Sequence, residues 1–148
     1  MIVTANSQHL KDLVRLGQRY YEESPYRVTH QFDANHLMNF LRRAMISPVF
    51  EVAVAEWDGK TVGGAVAYIS DYAWCNETRT NMELIYVDPE YRQYGLVEGL
   101  LDHQLAWSRR MQVKEMCAGD IGFRPKVVEE FYSRHGFENP GVLMRKVL

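Results

Sequence analysis

Apolar side chains recur along this chain with two different periods, and the changes of period mark its elements. Met1 to Ala5 is short, apolar and β-branched, which reads as a strand, and Asn6 and Ser7 behind it are residue types that cap helices. Leu10, Leu13, Val14, Gly17 and Tyr21 then share one helical face as far as about Glu22, where Ser24-Pro25 stops the run. Asp33 caps a second helix with Leu37, Phe40, Leu41, Ala44 and Met45 turned inward, and Ser47-Pro48 ends it. From Val49 the period drops to two. Val52 and Val54 alternate with Ala53 and Ala55 up to Trp57, Asp58-Gly59 supplies a tight turn that needs positive φ, and Lys60 to Ser70 returns as the second strand of a hairpin. Met82 to Asp88 is a third such run, ended by Pro89, which has no N–H for a ladder. Leu96, Leu100, Leu101, Gln104, Leu105 and Ser108 restore the helical period from about Gln93 to Arg110. Val113 to Ala118 reads as a strand, and Val128, Phe131, Tyr132 and His135 as one face of a helix closed by Gly136. Val142 to Leu148 is expected to be a last strand. Hairpins mixed with helical crossovers predict an α/β fold with one mixed, mostly antiparallel sheet and helices on both faces.

Composition narrows the function. Residues 1–148 contain no repeat or Gly/Ser/Pro-rich linker, so one domain is expected, and 148 residues can bury a sizeable core without metal or disulfide staples. Seventeen Lys and Arg against nineteen Asp and Glu give a net charge of −2, which disfavours dedicated nucleic-acid binding. The longest apolar stretch, Val62 to Ile69, is far too short to span a bilayer, and Met1 to Thr4 lack the features of a signal peptide; a cytoplasmic protein is expected. Cys75 and Cys117 have no paired spacing and read as free thiols. The five histidines include no pair four apart on one helix, so no metal is expected.

The chemistry concentrates between Tyr86 and Leu101. A strand stops at Pro89, a short loop with one glycine follows, and an amphipathic helix begins. Such a helix start has backbone N–H groups without intrahelical acceptors and the positive end of the helix dipole, which suits a phosphate or pyrophosphate. Val87, Pro89, Arg92 and Gly95 resemble motif A of the GCN5-related N-acetyltransferase (GNAT) family, whose R/Q-x-x-G-x-G/A loop binds the pyrophosphate of acetyl-CoA. A second match lies far downstream, where Tyr132 is followed four residues later by Gly136-Phe137. The element order is similar as well.

This resemblance implies acetyl-CoA as co-substrate, an amine acceptor and no metal. It implies cofactor contacts from Ile85, Tyr86, Val87, Arg92, Gln93, Tyr94, Gly95, Leu96 and Val97. Tyr132 stands where the family places a general acid for the departing thiolate. For a base that takes a proton from the amine, Glu83 in the strand before motif A and Asp120 after the next strand are both candidates. Asn81 and Glu83 are two apart and share a strand face in a regular strand. Two departures from the pattern stand out. Val97 replaces a second small residue and brings a branched side chain to the pyrophosphate loop, and Pro125 replaces an Asn that contacts the pantetheine arm in many members. Those departures leave a non-catalytic binding module of the same fold as the alternative reading. Cys117 reads as a small buried residue rather than a nucleophile. The aromatic segments Glu23 to Phe32 and Ser70 to Thr80 are expected to form acceptor walls or a homodimer contact.

Overall fold

A computed structural model describes residues 1–119 and 124–148. Its elements run β1 (Ile2–Thr4), α1 (Leu10–Glu23), α2 (Tyr26–Thr29), α3 (Ala34–Ile46), β2 (Phe50–Trp57), β3 (Lys60–Asp71), β4 (Thr78–Val87), α4 (Leu96–Arg110), β5 (Glu115–Cys117) and α5 (Pro125–Arg134), with 3₁₀ turns at Ser7–His9 and Pro89–Tyr94. The predicted punctuation is in place. Asn6 Oδ1 accepts from the Gln8 N–H at 2.9 Å, Asp33 Oδ1 accepts from His36 N–H at 3.0 Å, and Asp58 and Gly59 carry φ of 48° and 73° in the hairpin turn. The unforeseen piece is α2, a single turn between Pro25 and His30.

The strands lie in the order β1-β2-β3-β4-β5, each pair antiparallel except β4 with β5, which is parallel. Both faces are covered. Val52, Val54 and Val66 pack with Leu10, Leu13, Leu41 and Ala44 of α1 and α3, whereas Ala53, Ala55, Ala65 and Ala67 meet Leu96, Leu100 and Leu101 of α4 and Tyr132 of α5. Strands buried on both faces read as continuous apolar runs. Gly17 lets α1 and α3 close together, since a Cβ there would stand 2.3 Å from Leu37 Cδ2.

Three sequence expectations change. First, β4 starts at Thr78, four residues before the apolar run, because its first half pairs with β3 through polar residues. Second, β5 is three residues long, and Cys117 in it is exposed rather than buried. Third, Val142 to Leu148 forms no strand and is exposed throughout. Propensity proposes a strand, but only a partner edge makes one, and the segment pairs with none among the described residues. Among the described residues no helix is long and apolar enough to cross a membrane.

Candidate active site

The parallel pairing of β4 with β5 covers only Arg79 with Glu115, Thr80 with Met116 and Asn81 with Cys117. Beyond Asn81, β4 continues to Val87 without β5 alongside, so the sheet opens like a split seam. The edge of β4 in that opening offers backbone N–H and C=O groups to whatever lies there. Met82 to Val87 form one wall of a cleft of about 290 Å³; Val97 and Glu98 of α4 and Val128, Phe131 and Tyr132 of α5 form others, with Tyr20 of α1 and Gly119 at its margin.

At one end of this cleft stands the start of α4. Gly95 has φ of 71° and no atom within 4 Å of where its Cβ would be, so positive φ, not crowding, is what requires glycine there. The first intrahelical bond runs from the Gly99 N–H to the Gly95 carbonyl at 3.0 Å, and no side chain caps the helix. The N–H groups of Leu96, Val97 and Glu98 therefore have no intrahelical acceptor. Together with the helix dipole they favour negative charge at this position. Of the expected cofactor residues, Ile85, Tyr86, Val87, Arg92 and Val97 line the cleft. Leu96 is buried in the core below, Gln93 is exposed, and Tyr94 stacks on Trp57 with centroids 4.4 Å apart. Val97 packs against the α4 core as well as lining the cleft. Pro125 occupies the first turn of α5, where a missing N–H costs nothing.

Glu83 sits at an irregularity. Ala67 opposes Met82 and Val66 opposes Leu84, so Glu83 is the extra residue of a β-bulge. Bulges re-aim side chains, and this one breaks the alternation that placed Asn81 and Glu83 on one face. Asn81 is spent elsewhere, its Nδ2 donating to Ser70 Oγ at 2.8 Å, while exposed Glu83 lines the cleft. Tyr132 lines it from the opposite side, buried between Phe131 and Phe137 at centroid distances of 5.2 and 5.1 Å. The fold thus brings Glu83 and Tyr132 to one cavity. Asp120 lies outside the described residues.

Several residues here carried no sequence signal. Glu23, at the end of α1, accepts from Tyr86 Oη on Oε1 at 2.8 Å and from Arg92 Nη2 on Oε2 at 2.8 Å. Arg92 also donates from Nε to the Val87 carbonyl at 2.8 Å and lies over the Tyr86 ring at 5.2 Å. Burial works to raise the Glu23 pKa, but the hydrogen bonds from Arg92 and Tyr86 outweigh it and hold the carboxyl below its usual range. Burial and then the bond to Glu23 push the Tyr86 phenol up, so it stays a donor at neutral pH. Asp88, buried after β4, accepts from Arg15 Nη1 at 3.0 Å and Arg19 Nη1 at 2.7 Å. These contacts pin α1 to the loop that leads into α4; they join residues about 70 positions apart, which no local pattern announces. The segment Ser70 to Thr80 turns at the start of β4, where Ser108 near the end of α4 donates from Oγ to Thr80 Oγ1 at 2.8 Å, and it does not line the cleft. Partial burial and then Glu115 raise the Cys117 thiol pKa, which disfavours a nucleophilic thiolate. Among the described residues no group of three His, Cys, Asp or Glu is placed to hold a metal ion.

A family model described as "Acetyltransferase (GNAT) domain" matches residues 48–139. Similar solved structures include AAC(6')-Iy with the bisubstrate analogue CoA-S-monomethyl-acetylneamine, at TM-score 0.80 and 19% identity over 99% of this chain and 95% of that one. A tetramutant of the BH1408 protein from Bacillus halodurans aligns at TM-score 0.84 and 15% identity over 100% and 99% of the two chains. The aminoglycoside antibiotic 6'-N-acetyltransferase AAC(6')-IG from Acinetobacter haemolyticus aligns at 0.76 and 18% over 99% and 96%. At these identities the structures establish a shared fold. No curated protein matches the chain.

Proposed function

The chain belongs to the GNAT acetyltransferase family, and on that premise we propose that it transfers acetyl from acetyl-CoA directly to a primary amine of a small molecule, peptide or protein. The observation that carries this reading is the split between β4 and β5 running up to the uncapped start of α4. An extended amide-bearing chain such as pantetheine fits the free β4 edge as an added strand would, through backbone hydrogen bonds. Its pyrophosphate then meets the N–H groups of Leu96, Val97 and Glu98. The acetyl group comes to rest between Glu83 and Tyr132.

An amine is protonated at neutral pH and must lose a proton before it attacks. Glu83, turned toward the cleft by the bulge, accepts that proton directly or through one water. The freed nitrogen attacks the acetyl carbonyl carbon, a C–N bond forms and the C–S bond breaks. Tyr132 donates its phenolic proton to the departing sulfur, a phenol being protonated at neutral pH. Glu23, bound to Tyr86 and Arg92, ties the end of α1 to β4 and to the loop that precedes α4.

Calorimetric titration with acetyl-CoA, with desulfo-CoA as a second ligand, is the first test. Micromolar binding, about −8 kcal/mol, supports the reading and leads to a thiol-release screen of amines that begins with aminoglycosides. Absence of binding overturns it in favour of a non-catalytic module of the same fold.

A further inference from the structure

Behind the cleft lies a second cavity, of about 30 Å³, between the sheet and helices α1 and α3. It shares three wall residues with the cleft, Tyr20, Leu84 and Tyr86. Tyr86 is held in place there, its hydroxyl donating to Glu23 Oε1 at 2.8 Å and its ring meeting that of Tyr20 edge to face at 6.2 Å. Every other residue lining the cavity is aliphatic or a glycine, so beyond the two tyrosines its walls offer no polar side chain.

Two of those residues, Gly17 and Gly64, keep the space open. A Cβ on Gly17 would stand 2.3 Å from Leu37 Cδ2, and one on Gly64 2.7 Å from Leu13 Cδ2. Both leucines therefore lie against glycine backbone, and a side chain at either position would push a leucine tip into the cavity. Glycine weakens the interior of a helix or a strand, yet Gly17 stands inside α1 and Gly64 inside β3. The cavity also lies on the face from which an amine can come. Helices α4 and α5 pack on one face of the sheet, α1 and α3 on the other. Acetyl-CoA held at the start of α4 and by Tyr132 of α5 leaves the α1 face, where Tyr20 borders the cleft, for the acceptor.

We propose that this cavity takes a short alkyl group of the acceptor, so that the substrates are primary amines with an alkyl chain whose accepted length is set by Gly64 and Leu37. A space of about 30 Å³, which one molecule occupies in liquid water, has room for a terminal methyl or ethyl group and not for a ring. This inference rests on the acetyl-transfer reading and names its substrate class.

The test measures thiol release at saturating acetyl-CoA across the n-alkylamines from ethylamine to octylamine. kcat/KM is expected to rise about fourfold with each methylene that enters the cavity, and to level or fall beyond a cut-off length. Gly64→Ala is expected to shorten the cut-off by one or two carbons and Leu37→Ala to lengthen it, both with acetyl-CoA affinity by calorimetry unchanged within about twofold. Opposite shifts from a smaller and a larger cavity do not arise from a general loosening of the fold, and Leu37→Ala decides alone if Gly64→Ala does not fold. A series without a cut-off overturns the proposal, as does a cut-off that the variants do not move. So does a cut-off that they move in the acyl chain, from acetyl- to propionyl- and butyryl-CoA, instead of in the amine. A chain that binds acetyl-CoA but turns over no alkylamine overturns it while the acetyl-transfer reading stands; a chain that binds no acetyl-CoA overturns that reading and this inference with it.

Discussion

Gly95→Glu isolates the chemistry attributed to the start of α4. The native φ is 71°, and a Cβ there meets nothing within 4 Å, so an L residue brings backbone strain without a clash. That strain is about 1–2 kcal/mol, which lowers the melting temperature by several degrees. Gly95→Gln carries the same strain and nearly the same bulk, so the difference between the two variants reports charge alone. A glutamate carboxylate about 6 Å from a pyrophosphate, at an effective dielectric constant of about 40, repels each of its charges by about 1.4 kcal/mol. Two charges give about 3 kcal/mol, and salt screening reduces this to roughly 1.5–3 kcal/mol. Acetyl-CoA is therefore expected to bind Gly95→Glu between about tenfold and a hundredfold more weakly than Gly95→Gln, by calorimetry at low salt. Added salt should narrow the gap. Equal affinities of the two variants would refute the placement of the pyrophosphate at this helix.

Tyr132→Phe is expected to lower kcat by about a hundredfold or more with little change in acetyl-CoA affinity, measured by thiol release; a fall in affinity of the same size would make Tyr132 a packing residue only. Glu83→Gln should lower kcat similarly with little change in acetyl-CoA affinity, whereas a retained kcat, with activity lost instead in Asp120→Asn, would assign the base to Asp120. Glu23 stabilises the fold above its unfolded carboxyl pKa near 4.5, because its folded pKa is lowered, and that stabilisation is lost as pH falls through the folded value. The stability difference between wild type and Glu23→Gln, by urea titration, should be present at pH 7 and shrink as the pH falls below the unfolded value of 4.5. Gly63→Ala puts a Cβ 2.8 Å from Val87 Cγ2 and 3.0 Å from the Tyr86 carbonyl oxygen, and the rigid backbone contact predicts a loss of about 1–3 kcal/mol in the same titration.

How far the sequence reaches differs from element to element. Asp33, Asp58-Gly59, Pro89 and Gly136 act through their own backbone geometry, so the ends and turns that they mark stand where the pattern places them. The uncapped start of α4 was legible for the same reason: a strand end, Gly95 and a helix start are consecutive, and the orphan N–H groups follow from helix geometry. Tyr132 was reachable only through the resemblance of its motif to a known family. The bulge at Glu83 left no local mark, since it arises from the register of β3 against β4. Val142 to Leu148 shows the opposite failure, a strand pattern that pairs with no strand among the described residues.

By itself, then, the sequence determined the class of fold, the order of its elements and the position of the uncapped helix start. These depend on periodicity and on residues within a few positions of one another. Only the tertiary structure decided that β5 parts from β4 after Asn81, that Glu83 and Tyr132 face one cleft, and that Glu23 reaches Tyr86 and Arg92. Those arrangements depend on strand register and on contacts between residues tens of positions apart. Their energies come from packing and hydrogen bonds that exist only after the chain has folded.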